Sequence, residues 1–195
     1  MTSSNMKRSM AYRPPFRFNT SDMTIRIVLT GPESTGKSAL TTHLAGVLGL
    51  PYAGEYARTH LEQNGPAYDY RLLLDMSRWH ISYQQALVPD TVPAALFDTD
   101  LINYKIWCEV AYGSCHPEII EAMESESHHV YLLCYPDIPW EPDPLREHPN
   151  DRMMLFDRHR AEIERLGRPY RIITGLGMER YRAAEEAVRV WLPPA

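Results

Sequence analysis

Gly31-Pro32-Glu33-Ser34-Thr35-Gly36-Lys37-Ser38 meets the pattern G-x-x-x-x-G-K-[ST] at every fixed position, and the rest of the chain is read outward from it. Just before it, Thr24-Ile25-Arg26-Ile27-Val28-Leu29-Thr30 reads as a buried strand. Just after it, Leu40, Leu44, Val47 and Leu48 recur at helical spacing. A loop between a strand and a helix N-terminus turns main-chain N–H groups inward, where the helix adds partial positive charge. The stretch therefore predicts a site for a nucleotide polyphosphate. Gly31, Glu33, Ser34, Thr35, Gly36, Lys37, Ser38 and Ala39 form the expected cradle. Lys37 would reach the β- and γ-phosphates, and the Ser38 hydroxyl would ligate a bridging Mg²⁺. The chain has no Asn-Lys-x-Asp guanine signature, so the expected nucleotide is ATP.

Beyond the first helix, strand-like and helical runs alternate. Gly49 is placed to cap that helix, and Leu50 to Ala53 reads as a second strand, running into Gly54-Glu55-Tyr56-Ala57-Arg58. From Asp69 to Leu87 the apolar residues Leu72, Leu73, Met76, Trp79, Tyr83 and Leu87 trace one helical face, which Pro89 stops. Ala94 to Phe97 is a third strand, leading into Asp98-Thr99-Asp100. Helices follow over 101–112 and 117–124, and a fourth strand runs from Val130 to Cys134. The segment 136–149 is too rich in proline for regular structure. A helix over 150–166, with Phe156 and Ile163 buried, a strand over 170–174 and a closing helix marked by Met178, Tyr181, Ala184, Val188 and Trp191 complete the chain. Such alternation predicts an α/β fold: a five-stranded parallel sheet with helices on both faces.

Ligands of a parallel sheet sit beyond the carboxyl ends of its strands. Three carboxylates fall there. Asp98, closing the third strand, is the expected Mg²⁺ partner of Ser38, while Asp100 also suits the N-cap of the following helix. Glu55 and Asp100 both remain open as the base that takes the acceptor's proton, and either would touch substrate. Phosphoryl transfer also needs cations around the transferring oxygens and exclusion of water. Arg146, within the proline-rich segment, and Arg152, just beyond it, supply those cations if residues 136–152 form a lid.

Composition narrows the setting. The chain has 195 residues, 44% of them hydrophobic, and no apolar run approaches the length of a membrane span. Cys108, Cys115 and Cys134 form no C-x-x-C pair, which favours ordinary thiols in a reducing compartment, the cytoplasm. A net charge of −5 argues against a broad nucleic-acid surface. Residues 1–23 stand apart: Lys7, Arg8, Arg13 and Arg17 against Asp22, with Pro14-Pro15 and no periodicity, predict a flexible tail before one domain over 24–195.

The P-loop, Glu55-Tyr56-Ala57-Arg58, Asp98-Thr99-Asp100, Lys105-Ile106-Trp107 through Tyr112-Gly113, and Pro136-Asp137-Ile138-Pro139-Trp140 with Leu145-Arg146 together resemble the ribosylnicotinamide kinase domain of the NadR family over most of residues 24–195. The resemblance implies a three-layer P-loop kinase fold, similar to nucleoside monophosphate kinases, that uses ATP and Mg²⁺. It implies a small-molecule partner, nicotinamide riboside, phosphorylated on its 5′-hydroxyl to the mononucleotide of NAD synthesis. Tyr56, Tyr104, Trp107 and Trp140 would offer aromatic faces to the cationic nicotinamide ring, with Arg58 beside Glu55; each aromatic also has packing spacing. The adenylyltransferase domain that commonly precedes this kinase is expected to be absent, since 23 residues precede Thr24. The family's Asp-Gly-Leu-Arg reads Asp143-Pro144-Leu145-Arg146 here, which restricts φ where glycine leaves it free. Kinases of other nucleosides and a regulatory ATP-binding protein remain alternatives, and oligomeric state is left open.

Overall fold

Five strands run parallel in the order β2-β3-β1-β4-β5, with β1 (Ile25–Thr30) at the centre. The structure is a computed structural model and describes residues 24–89 and 91–192, so the expected tail over 1–23 lies outside the described residues. β1 pairs with β3 (Ala94–Asp98) on one side, Val28 opposite Phe97, and with β4 (His129–Cys134) on the other, Val28 opposite Tyr131. β2 (Tyr52–Ala53) and β5 (Tyr170–Ile173) form the edges.

Both faces of the sheet are covered, which explains why β3 and β4 are buried at every residue. Ile25, Ile27, Leu29, Leu96 and Leu132 pack against α1 (Lys37–Leu48) and α7 (Gly177–Arg189). Val28, Phe97, Tyr131 and Leu133 pack on the opposite face, under α2 (Tyr56–Asn64), α3 (Tyr70–Leu87), α4 (Leu101–Tyr112), α5 (Pro117–Ser125) and α6 (Arg152–Arg165). The result is the expected three-layer α/β architecture with a five-stranded parallel sheet. Residues 136–151 contain no helix or strand, as their prolines predict. Gly49 caps α1 in the left-handed conformation, and Phe156 and Ile163 are buried on α6.

Two local readings are corrected. α2 has no counterpart in the sequence reading: its nine residues bury only Ala57 and Leu61, too short a stripe to stand out as periodic. On α3 the buried stripe is Leu73, Leu74, Met76, Ser77, His80 and Gln84, whereas Trp79 and Leu87 are largely exposed. Polar His80 and Gln84 are buried because they bond each other at 2.8 Å, and Gln84 also accepts from Arg26 at 2.7 Å. An apolar count therefore finds Leu73 and Met76 but misses the polar part of the buried face and overreaches at Trp79 and Leu87.

Candidate active site at the carboxyl ends of the strands

The loop after β1 depends on two glycines. Gly31 has φ +125°, and a Cβ there would lie 2.8 Å from the Cys134 carbonyl oxygen on β4. Gly36, at φ +74°, is the N-cap of α1. It supplies no side chain to the helix amides, and α1 has no acidic residue in its first turn. The positive end of α1 is thus left to an external anion. Thr35 Oγ1 donates to the Pro32 carbonyl at 2.9 Å, and Lys37 Nζ donates to the carbonyls of Gly31 (3.0 Å) and Pro32 (2.9 Å), which sets the ammonium inside the loop.

Asp98, at the end of β3, is 2% exposed and its Oδ1 has no hydrogen-bond partner. Burial raises its pKa, while Lys37 and a hydrogen bond with Ser38 oppose that rise. An orphaned carboxylate oxygen beside a hydroxyl is a fitting pair of ligands for Mg²⁺, which takes one or two protein oxygens and fills its octahedron with phosphates and water. No cluster of three or more His, Cys, Asp or Glu ligands occurs among the described residues, so the donor set does not suit a metal caged by protein alone. Glu55, the N-cap residue of α2, lines the same cavity. Burial pushes its pKa up to about 7, Asp98 adds to the rise, and Lys37 and Arg58 work against it.

Asp100 is not brought to this site. It is the N-cap of α4: its Oδ1 accepts from the Ile102 amide at 3.1 Å and its Oδ2 from the Tyr131 hydroxyl at 2.6 Å. Arg168 donates to that same hydroxyl at 2.6 Å. Between Asp98 and Asp100, Thr99 adopts a left-handed conformation with φ +72°. The expectation of a base or ribose ligand at Asp100 is therefore replaced by a buried structural network.

The proline-rich segment lies against the P-loop. Arg152 Nη1 donates to the carbonyls of Ser34 (3.1 Å) and Ile138 (2.9 Å), and Arg146 reaches Ser34 Oγ at 3.4 Å. Glu33 lines the same cavity, and its carboxylate accepts from the amides of Glu147 and His148, both at 3.1 Å. On the far bank, Arg58 pairs with Asp143 at 3.1 Å and Tyr68 donates to Glu147 at 2.7 Å.

These walls enclose a cavity of about 570 Å³. The P-loop forms one end; Leu61, Tyr68, Ile106, Trp107, Val110 and Leu145 form an apolar and aromatic end. Of the four aromatics expected there, Trp107 lines the cavity, edge-on to Tyr68 at 4.8 Å. Tyr104 is fully buried behind the wall, Tyr56 packs against Tyr83, and Trp140 lies about 6 Å from the guanidinium groups of Arg146 and Arg152; none of these three lines the cavity. Sequence reasoning missed Tyr68 and His159. His159, on α6, has Nδ1 at 3.0 Å from Thr30 Oγ1, and burial, with Lys37 adding to it, lowers its pKa to about 3. It faces the P-loop as a neutral imidazole.

A family described as an AAA domain matches residues 26–180. The chain belongs to that family. This AAA domain is 27% identical over 124 residues to the trifunctional NAD biosynthesis/regulator protein NadR of Salmonella typhimurium, and equally so to NadR of Escherichia coli. The match covers 62% of this chain and 30% of each of those relatives. A NadR protein solved in complex with NR superposes with a TM-score of 0.73 at 17% identity, covering 87% of this chain and 52% of that one. A NadR protein in complex with NAD and AMP-PNP gives 0.65 at 18%, covering 87% and 49%. The AAA domain thus shares its three-layer fold with these NadR structures.

Proposed function

We propose that the chain is an ATP-dependent kinase that phosphorylates the 5′-hydroxyl of nicotinamide riboside to give nicotinamide mononucleotide. The observation that carries this reading is Glu55. Its pKa is raised to about 7, and it lies in a cavity with a phosphate cradle at one end and an apolar, aromatic wall at the other. A carboxylate at that junction can take the proton of an acceptor hydroxyl whose heterocycle rests against Trp107 and Tyr68. The similarity to NadR supports nicotinamide riboside as the nucleoside.

In this reading ATP enters with its phosphates on the α1 N-terminus, Lys37 beside them, and the hydroxyl oxygen attacks the γ-phosphorus. The new O–P bond forms as the bond to the ADP oxygen breaks, and the hydroxyl proton passes to Glu55. Ser38 and Asp98 would hold Mg²⁺, which neutralises charge on the phosphates. Residues 136–152 act as the lid: Arg146 and Arg152 bring cations to the P-loop side, and Arg58 anchors the lid through Asp143. His159, neutral and bonded to Thr30, keeps the floor beneath Lys37 free of a second fixed cation.

The test is ADP release by purified protein with ATP and Mg²⁺, with and without nicotinamide riboside, with the product identified by mass. The riboside should raise ADP release several-fold and appear as the mononucleotide. Equal ATP hydrolysis in both arms would overturn the acceptor assignment.

A further inference from the structure

Arg180, the fourth residue of α7, is 3% exposed, and its guanidinium gathers three loops at the carboxyl ends of the strands. Nη2 donates to the main-chain carbonyls of Thr35 in the P-loop and Tyr135 after β4, both at 3.0 Å. Nη1 donates to the Gly175 carbonyl after β5 at 3.2 Å and to Asp137 Oδ1 at 2.8 Å. Asp137 Oδ2 accepts from the Gly175 amide at 2.7 Å, which closes the ring. Nε, by contrast, is buried with no hydrogen-bond partner among the described residues. An unpaired buried donor is costly, so the four bonds at the outer nitrogens decide how the fork sits. Arg180 does not itself line the cavity, whereas Thr35 and Gly36 do.

We propose that Arg180 is a positioning residue for phosphate binding, which holds the peptide between Thr35 and Gly36 so that the Gly36 amide faces the nucleotide; this rests on the kinase reading only as far as its phosphate cradle. A trans peptide is planar, and its C=O and N–H point in opposite directions. Arg180 takes the Thr35 oxygen, so the Gly36 N–H is turned away from Arg180. That restraint is needed because Gly36, at φ +74°, has no side chain to resist rotation of this peptide. The Thr35 hydroxyl cannot supply it, being engaged with the Pro32 carbonyl. The planar fork suits the task, since one nitrogen serves two carbonyls while the other serves a third carbonyl and a carboxylate. An ammonium is a point charge and cannot span that set. The same fork ties the P-loop to the segments that follow β4 and β5, so the loop takes its shape from the sheet rather than from its own side chains. An amide aimed at a phosphate acts in the ground state as well as the transition state, so its loss shows in nucleotide affinity.

The experiment is calorimetric titration of the full chain, and of its Arg180→Lys and Asp137→Asn variants, with Mg·ATP and separately with Mg·tripolyphosphate, at a temperature where melting curves show each protein folded. Arg180→Lys should weaken both ligands by about tenfold, the worth of one hydrogen bond to a charged group. Asp137→Asn keeps one of the two bonds made by that carboxylate and should weaken both ligands by less. Asp137 is partly exposed, so this variant decides the matter if Arg180→Lys does not fold. A merely structural Arg180 would lower the melting temperature and leave the dissociation constants of the folded variants at parental values. That result, or weaker ATP with unchanged tripolyphosphate, which would move the effect from the phosphates to the base, would overturn the proposal. A parent chain that binds neither ligand would overturn the phosphate cradle, and this inference with it.

Discussion

Arg152 Nη1 donates to the main-chain carbonyl of Ser34 at 3.1 Å, so the first residue of α6 grips the P-loop from the lid side. Arg146 reaches the side chain of the same residue. Two guanidinium groups therefore converge on the loop that would hold the phosphates. Arg152→Ala should lower kcat by about 10²-fold with a smaller change in ATP affinity, because cations aimed at spreading charge act mainly in the transition state. Steady-state kinetics with a separate nucleotide titration checks this. Equal losses of binding and rate would make Arg152 a ground-state clamp.

Lys37→Ala should reduce turnover by at least about 10²-fold while the protein stays folded. Lys37 has no place in the hydrophobic core: its ammonium bonds to the Gly31 and Pro32 carbonyls. Circular dichroism and the melting temperature report on the fold, and ADP release on the loss.

Glu55 predicts two opposite effects of one substitution. As a base it must be ionised, so kcat/KM should rise with pH through about 7 and level off above it. Glu55→Gln should remove that limb and lower kcat by about 10² to 10⁴. Stability moves the other way. The folded pKa lies above the ordinary 4.5, so the unfolded chain releases this proton first as pH rises. The stability contributed by the protonated group is complete below about 4.5 and is lost as pH climbs through 7. Without ligand, Glu55→Gln should be more stable than the parent at pH 8 by up to about 3 kcal/mol, and nearly equal to it at pH 4.5. Denaturant titrations at the two pH values measure the difference.

Asp100→Asn should cost about 2 to 4 kcal/mol of stability, because one side of the new amide cannot accept from both Ile102 N–H and the Tyr131 hydroxyl. The kinetic constants of the folded fraction should stay close to those of the parent. A variant of parental stability whose riboside KM alone rises would return Asp100 to the acceptor site.

The contrast between Glu55 and Asp100 shows what the sequence holds. The P-loop, the five strands and most helices are local patterns of glycine, periodicity and proline, so they can be read along the chain. Both carboxylates follow strands and look alike there. What separates them is the left-handed turn at Thr99, a conformation no threonine advertises, and a hydroxyl from Tyr131 on another strand. His159 stays hidden for a related reason: its partner Thr30 is 129 residues earlier. Trp107 and Tyr104, three residues apart on one helix, diverge because α4 turns one toward the cavity and the other into the core.

Glu33 occupies a variable position of the phosphate motif, yet its carboxylate holds the amides of Glu147 and His148. Residues more than a hundred positions apart are thus tied together within the chain itself. Bonds of this kind move the entropy cost of ordering a proline-rich strap from ligand binding toward folding. Removing that carboxylate would transfer the loss to the binding step, and calorimetry would register it as a less favourable association entropy.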